Sequence, residues 1–343
     1  MKYWHSIVRR LAGMALSLFG LSVVIFAVSR VLPGNPARMA LGPRATEEQV
    51  QELSRELGLD QPLHEQYVDY VQGLLVGDFG QSLVTRRPVV TDISQNLPAT
   101  LELITVSIVF TVLMGIPLGI VAAQNKEGPV DHVTRLFAFV AVSIPGFFIG
   151  ILFQVAFGYL LGWLPITGRI SQAYTEQGVE ETGFLLVDTL MAGNLAAHVD
   201  AWQHILMPAL ALSMAGTGQI MRITRSSMID VQREDFVEAE RGYGLPDWLV
   251  TYKYIFRNAS IPTLTILGLI YASLLGNAFL IELVFSWGGL ASYGINAVLQ
   301  NDFNAVVGVT MTIGVAFVTI NFVVDLVLDR VDPRRRLGVE GES

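Results

Sequence analysis

The residues best suited to metal or acid–base chemistry are five histidines, and their spacing forms no catalytic pattern. They are His5, His64, His132, His198 and His204. None of them belongs to an HExxH motif, which places two zinc ligands on one helix face. The chain has no cysteine, and it contains neither a GxxxxGK[ST] phosphate loop nor a GxSxG nucleophile turn. The sequence therefore predicts a chain with no catalytic, cofactor-binding or metal site.

Three carboxylates lie in or beside long apolar segments, where a buried charge is costly: Glu102, Glu282 and Asp325. Asp325 lies about one turn from Asp329 and Arg330, so an arginine partner is available to it. Glu102 follows Leu97-Pro98-Ala99-Thr100, which is typical of a helix start, and the helix dipole favours an acid there. Glu282 has no Lys or Arg close to it in sequence and precedes Phe285-Ser286-Trp287 at a predicted helix end. Glu282 either has a structural role or lines a substrate vestibule, where it could meet a cationic amino terminus.

Composition indicates a membrane protein. Hydrophobic residues make up 52% of the 343 residues, and charged residues only 15%, against about 25% in a typical soluble domain. Six long apolar runs are each sufficient to cross the roughly 30 Å hydrocarbon core as a helix. These runs are Leu11–Val28, Leu103–Ala123, Leu136–Pro165, Ile205–Met221, Ile261–Leu280 and Ala305–Val324. We therefore predict an all-α membrane protein with six transmembrane helices. The net charge of −8 and the lack of a long basic block give no support to nucleic-acid binding.

The distribution of positive charge predicts the orientation, because cytoplasmic loops are enriched in Lys and Arg. If the N-terminus is inside, 15 of the 22 Lys and Arg residues fall in inside segments and 7 in outside segments. The inside segments are 1–10, 124–136, 222–260 and 329–343. Both termini are therefore expected to be cytoplasmic.

The first hydrophilic stretch has the pattern of short amphipathic helices. Apolar residues recur at helical spacing from Thr46 to Val76, with breaks at Gly58 and Pro62. This predicts a small helical extracytoplasmic segment at about residues 30–98, between the first two membrane helices.

Small residues recur at every fourth position within predicted membrane helices, and such spacing lets helices approach closely in lipid. The pairs are Gly115/Gly119, Gly146/Gly150 and Gly158/Gly162. Pro117 and Pro145 are expected to interrupt the second and third helices.

The inside loop at about 222–260 is longer than a connection between two helices requires. Gly242, Gly244 and Pro246 predict a sharp break, with Gly244 at positive φ or close to another backbone. An apolar stripe then predicts an amphipathic helix; it consists of Trp248, Leu249, Tyr252, Ile255 and Phe256. A helix, a glycine turn and a second helix would form a rigid protrusion suited to receiving force from a soluble partner.

This loop resembles the EAA loop of ABC-transporter permeases. The resemblance rests on Glu238-Ala239 followed by Gly244. The stretches Arg225–Met228 and Asp235–Val237, which precede this pattern, strengthen it. Further stretches are similar to the peptide/nickel branch of that family, and the insertion at Thr182–Thr189 is similar to dipeptide permeases in particular. These stretches include Leu32–Pro36, Gly77–Gly80, Leu97–Leu103, Phe285–Leu290 and Asp332–Arg334. Glu240, Gly288 and Ala291 depart from the family pattern.

The resemblance implies a single permease domain over residues 1–343, which is itself non-catalytic and couples to separate ATPases. It implies that the coupling loop docks into an ATPase cleft through Asp235, Glu238, Ala239, Gly244 and Leu245. The implied partners are a second homologous permease, two ATP-binding subunits, an extracytoplasmic solute-binding protein and membrane lipid.

The resemblance also implies import of dipeptides or short oligopeptides, with nickel chelates or glutathione as alternatives. A stand-alone, ion-coupled secondary transporter is the alternative from a different class. That class predicts internal repeats and charges at the middle of the bilayer. The sequence shows no internal repeat, and predicted helices 1, 3, 4 and 5 carry no mid-helix charge.

Overall fold

The computed structural model describes residues 2–31, 38, 41, 45–56, 58–175 and 181–331. Regular structure in these ranges is helical, apart from one isolated bridge between Gln81 and Pro88. The predicted all-α class is therefore confirmed for the described residues. The family-like motifs at 32–36 and 332–334 lie outside these ranges, and so does residue 57 of the stretch Thr46–Val76.

Fourteen α-helices are numbered here in chain order across the described ranges. They are α1 Lys2–Val31, α2 Glu47–Glu56, α3 Leu63–Val76, α4 Val89–Gln124, α5 Pro129–Ser143, α6 Gly146–Phe153, α7 Gln172–Thr175, α8 Leu185–Met191, α9 Leu195–Val231, α10 Asp235–Gly242, α11 Asp247–Leu249, α12 Arg257–Phe285, α13 Leu290–Leu299 and α14 Phe303–Val331. Two π-helical segments extend them. Gln154–Leu160 continues α6, and Val250–Phe256 joins α11 to α12.

Four stretches are long and apolar enough to cross a membrane. They are Val8–Val28 in α1, all of α4, the continuous run Asp247–Phe285, and Phe303–Leu326 in α14. The pair Pro129–Ser143 and Gly146–Leu160, bent by 104°, makes a fifth if it is counted as one span. The predicted span Ile205–Met221 lies inside α9, which is not among these stretches.

The polarity of α9 follows from its burial. Ser213, Thr217 and Thr224 all have no exposed surface. Helix α9 packs against α5, α6, α8 and α12. A helix whose faces contact protein can carry hydroxyl groups that a lipid-facing helix avoids. Ser213 Oγ donates a 2.8 Å hydrogen bond to the Leu210 carbonyl, and Thr224 Oγ1 lies 3.1 Å from Thr263 Oγ1. Thr217 Oγ1 is buried with no hydrogen-bond partner among the described residues.

Two compact units divide the chain, and the first consists of Met1–Ala99 and Gly288–Thr319. In this unit the Tyr67 ring of α3 packs edge-on against Phe26 of α1, with ring centroids 5.2 Å apart. The Tyr67 hydroxyl and Ser22 Oγ form a 2.9 Å hydrogen bond. Helices α2 and α3, separated at Gly58–Pro62, confirm the predicted helical pattern of this stretch.

Buried acids fix the connections within the first unit. Asp302, 1% exposed, accepts a 2.5 Å hydrogen bond from Ser82 Oγ and a 3.2 Å bond from the Ala305 N–H. Asp92, also 1% exposed, accepts hydrogen bonds from Thr85 Oγ1 at 2.6 Å and the Tyr293 hydroxyl at 3.2 Å. These carboxylates are buried because polar partners replace water.

The second unit consists of Thr100–Trp287 and Ile320–Ser343. A Cβ built on Gly119 would lie 2.7 Å from Thr224 Cβ, so α4 and α9 touch there without room for a side chain. A Cβ on Gly150 would lie 2.9 Å from the Phe285 ring. These contacts confirm the prediction of close helix approach. Gly158 differs, because a Cβ there would meet Ile166 of the connecting segment, at 2.6 Å, rather than another helix.

Proline has different effects in α4 and α5. Helix α4 begins at Val89 and continues through Pro98 and Pro117, so the predicted start at Leu97 and the interruption at Pro117 are wrong. Membrane helices tolerate proline where local adjustments satisfy the freed carbonyls. The interruption at Pro145 is confirmed. Ile144 before it has extended backbone, φ −91° and ψ 128°, as expected before proline.

Candidate functional site

The 222–260 segment forms a double turn between two long helices. Helix α9 ends at Val231, α10 occupies Asp235–Gly242, and α11 begins at Asp247 after Pro246. The chain therefore reverses around a short helix attached at both ends to longer ones. This confirms the predicted helix and glycine turn.

Gly244 makes the second turn of this segment. Its φ is +76°, and its N–H donates a 2.9 Å hydrogen bond to the Arg241 carbonyl. A Cβ at this position would have no heavy atom within 4 Å. Glycine is therefore required for the left-handed backbone and not for lack of space, which confirms the predicted positive φ.

A buried apolar cluster holds α10 against the long helices. Val237 of α10 is 1% exposed, and Leu245 packs against the cluster partly buried. The other buried members come from α4, α9, the π-helical segment and α12: Ile120, Ala123, Met228, Ile229, Val250, Ile255 and Ala259. Because interiors are close-packed, a displacement of α10 is transmitted to the helices that contact it.

The opposite face of α10 is open to solvent. Asp235, Glu238 and Ala239 are all exposed, and the Glu238 carboxylate has no hydrogen bond or ion pair with any residue in the described ranges. Tyr243 and Trp248 are 84% and 65% exposed. The segment from Asp235 to Trp248 therefore carries both exposed carboxylates and large exposed aromatic rings.

The predicted amphipathic stripe after Pro246 is only partly right. Trp248 and Tyr252 are exposed, whereas Val250 and Ile255 are buried. The chain here is π-helical, so residues five apart share a face. A pattern based on 3.6 residues per turn therefore groups Trp248 and Tyr252 with the buried residues, whereas the buried pair is Val250 and Ile255.

A buried ion pair missed by the sequence analysis ties α9 to α5. Arg225 Nε and Nη2 donate hydrogen bonds to Asp131 at 2.5 and 2.7 Å, and the Asp131 side chain is 0% exposed. Asp131 also accepts a 2.9 Å bond from the Glu127 N–H. No sequence signal links the two partners, which stand 94 positions apart.

Glu102 has a different role from the one predicted. It lies well inside α4, is 5% exposed, and accepts a 2.9 Å hydrogen bond from Arg169 Nη2 and a 2.7 Å bond from the Leu186 N–H. The Arg169 guanidinium also lies 5.7 Å from the Trp287 ring centroid. Pairing with Arg169, and not the helix dipole, offsets the burial of this carboxylate.

The insertion at Thr182–Thr189 is organised by Asp188, which is 3% exposed. Its carboxylate accepts hydrogen bonds from the N–H groups of Thr182 and Gly183, at 3.1 and 3.0 Å. Thr182 Oγ1 donates another at 2.6 Å. The insertion is thus an ordered turn leading into α8.

Glu282 lies on α12 with no exposed surface. Its carboxylate accepts a hydrogen bond from Thr100 Oγ1 of α4. A vestibule role therefore requires a state in which these two helices separate. Elsewhere in the described ranges, no group of three or more His, Asp or Glu side chains is arranged to hold a metal ion.

Two family profiles cover most of the chain. The family described as the binding-protein-dependent transport system inner membrane component matches residues 115–337. The N-terminal part of such membrane components matches residues 3–104.

Curated relatives match along nearly the whole length. The probable D,D-dipeptide transport system permease protein DdpB of Escherichia coli is 38% identical over 97% of this chain and 98% of its own. The di/tripeptide transport system permease protein DppB of Pseudomonas aeruginosa is 36% identical over 96% of this chain and 98% of its own. The Escherichia coli glutathione transport system permease protein GsiC is 33% identical over 96% of this chain and 98% of its own. This chain therefore belongs to the family of inner membrane components of binding-protein-dependent transport systems.

Proposed function

We propose that this chain is one of two permease subunits of an ABC importer for dipeptides or short oligopeptides. The observation that carries the proposal is end-to-end similarity, at 35 to 38% identity, to three relatives named for dipeptide, D,D-dipeptide or di/tripeptide transport. The glutathione permease is somewhat less similar at 33%. Glutathione is itself a small peptide, so it is the alternative substrate that most needs testing, followed by nickel chelates.

The proposed arrangement has six membrane-spanning helices and both termini in the cytoplasm. The charge asymmetry of 15 against 7 Lys and Arg residues supports it. Helix α9 supplies the sixth span, screened from lipid by the helices around it. Residues from about 30 to 98 are proposed to lie outside the cytoplasm. In this arrangement α2 and α3 form a small helical segment on the extracytoplasmic side of the membrane.

We assign α10 and the turn after it as the element that docks into an ATPase subunit. Asp235, Glu238 and Ala239 contribute the exposed face, Gly244 sets the turn, and Leu245 anchors it. The buried cluster around Val237 supports this assignment, because a docking element must move with the long helices to transmit force. ATP hydrolysis belongs to the partner subunits in this scheme, and the permease catalyses no reaction itself.

A polar face on α12 is proposed to line the transport pathway. Ser273 and Asn277 are exposed although they lie within an apolar helix, and they border a cavity of about 330 Å³ together with Gln219. Exposed amide and hydroxyl groups at membrane depth are tolerated where they line a water-filled route. No charged residue of the described chain lines this cavity, and a neutral polar wall suits a zwitterionic peptide that must leave after binding.

The remaining partners follow from the family. An extracytoplasmic binding protein delivers the substrate, a second homologous permease completes the pathway, and two ATP-binding subunits drive it. No nucleic acid is involved.

The test is reconstitution of the whole importer in proteoliposomes, with binding protein supplied at the outer face and ATP at the face of the ATPases. We expect uptake of labelled dipeptide that requires ATP and the binding protein and is competed by excess unlabelled dipeptide. Stronger competition by glutathione or by a nickel–histidine chelate would replace the proposed substrate. Uptake driven by a proton or sodium gradient without ATP would support the secondary-transporter alternative.

A further inference from the structure

Helices α5 and α9 border a cavity of about 380 Å³, separate from the cavity proposed to line the transport pathway. Its wall is apolar and includes Ala138, Phe139 and Val142 of α5 and Met221 of α9. The two helices touch at Gly218, where a Cβ would lie 2.8 Å from the Ala138 carbonyl oxygen. Phe139 is 70% exposed and Val142 46% exposed, so the apolar wall opens outward.

Three arginines surround the other end of this cavity: Arg135, Arg222 and Arg225. Arg225 is neutralised by Asp131. Arg135 stands only loosely beside the same carboxylate, at 3.7 Å, with 49% of its side chain exposed. Arg222 is exposed and has no hydrogen bond or ion pair with any described residue. Two of the three guanidinium groups thus contact the single carboxylate of Asp131 and the third contacts no described carboxylate, which leaves an excess of two positive charges among these four side chains.

The nearby charges do not cancel this excess. The Glu127 carboxylate lies 3.8 Å from Lys126 Nζ, so these two charges offset each other. The guanidinium groups of Arg135 and Arg222 are therefore free to bind an anion, and they lie next to the apolar wall of the same cavity.

We propose that this cavity binds an anionic phospholipid. Arg135 and Arg222 would hold its phosphate group, since the planar guanidinium forms paired hydrogen bonds with phosphate oxygens. An acyl chain would lie along Phe139 and Val142. The inference rests on the orientation in the proposed function, which puts these arginines at the cytoplasmic leaflet, where basic pockets between membrane helices bind anionic headgroups.

The position of the cavity gives the lipid a mechanical role. It lies beside the Asp131–Arg225 pair on the stretch of α9 that leads into α10. A bound phospholipid would therefore brace α5 and α9 where the docking force enters the helices.

The experiment measures lipid retention by the purified permease–ATPase complex, using native mass spectrometry with added palmitoyl-oleoyl phosphatidylglycerol or phosphatidylcholine. The Arg135→Gln/Arg222→Gln variant is expected to bind phosphatidylglycerol about tenfold more weakly than the natural complex. The matched control, Arg233→Gln/Arg257→Gln, removes the same charge from exposed sites outside both the cavity and α10, and should bind as before. Equal retention by the two double variants would overturn the proposal.

Val142→Trp tests whether the apolar wall of the cavity contributes to lipid binding. The larger side chain fills the cavity and leaves the charge of the protein unchanged. It should also weaken phosphatidylglycerol retention. Unchanged retention in this variant, with inorganic phosphate displacing the lipid, would identify a soluble-anion site and overturn the proposal. A cross-link from Phe139→Cys to the second permease subunit in the native complex would overturn it as well, because protein would then cover the wall.

The lipid measurement is independent of transport. A complex that retains phosphatidylglycerol through these arginines but imports no peptide would contradict only the proposed function. A complex that imports dipeptide with the same retention in all variants would contradict only the lipid site.

Discussion

Asp131 of α5 and Arg225 of α9 form two hydrogen bonds, 2.5 and 2.7 Å long, around a carboxylate that has no exposed surface. The pair fixes α9 close to the point where it gives way to α10. Because the pair is buried, removing either side chain leaves the other charge without its partner. We call this pair the structural clamp.

Removing one partner of this clamp should destabilise the permease. We expect Asp131→Asn to cost about 3 kcal/mol, because the Arg225 charge remains buried without its carboxylate. The measurement is the thermal unfolding midpoint of the purified complex. Arg135→Gln is the control, since that exposed partner at 3.7 Å should matter by less than about 1 kcal/mol.

The double variant Asp131→Leu/Arg225→Met provides a sharper test of the same clamp. It should be more stable than either single variant, because no unpaired charge is left behind. Strictly additive losses would show that the two side chains act independently.

Gly244 and Gly242 form a matched pair for testing the coupling turn. A Cβ at either meets no heavy atom within 4 Å, but only Gly244 has positive φ, at +76°. Gly244→Val should strain the turn by about 1–2 kcal/mol or more, leave membrane insertion normal, abolish uptake and weaken ATPase recovery. Gly242→Ala should be tolerated.

Asparagine adopts the left-handed conformation more readily than other non-glycine residues. Gly244→Asn should therefore recover part of the activity lost in Gly244→Val. Recovery is measured as the amount of ATPase subunit that co-purifies per permease. Normal coupling in Gly244→Val would remove α10 and its turn from the mechanism.

Val237 and Glu238 are neighbours with opposite exposures, so they separate anchoring from docking. Val237→Ala should lower the thermal midpoint by the equivalent of roughly 1–2 kcal/mol, because it leaves a gap in the cluster beneath α10. Glu238→Ala should leave the midpoint unchanged and reduce ATPase recovery severalfold, as expected when a charged contact at an interface is lost. The reverse pattern would contradict the assignment of the exposed face.

Glu282 is proposed to meet a peptide amino terminus when α4 and α12 separate. Glu282→Gln should then raise the peptide concentration needed for half-maximal uptake without affecting assembly. Thr100→Val removes one hydrogen-bond partner of Glu282 but not its charge, so it should lower stability by about 1 kcal/mol without raising that peptide concentration. Unchanged uptake over a range of peptide concentrations in Glu282→Gln would leave the carboxylate with a purely structural role.

The orientation can be tested directly because the chain has no cysteine. Single cysteines at Gln172 and at Glu234, both exposed, should differ in intact cells. An impermeant thiol reagent is expected to label the first and to label the second only after the membrane is opened. Labelling of Glu234→Cys in intact cells would invert the topology.

Several features followed from the sequence because they depend on short stretches of chain. A run of about 20 apolar residues satisfies its own backbone hydrogen bonds as a helix in lipid, whatever surrounds it. The breaks at Pro145 and Gly244 also followed, since proline and positive φ act on the residue itself and its neighbours.

Other features were decided only by tertiary structure. The extent of burial of α9 depends on which helices surround it, and its composition does not reveal them. Glu102 was matched to a helix start because its partner Arg169 stands 67 positions away, and Asp131 finds Arg225 across 94 positions. Ion pairs and cavities join residues that are distant along the chain, so no local pattern encodes them. The arginine-rimmed cavity between α5 and α9 exists only once these helices have packed.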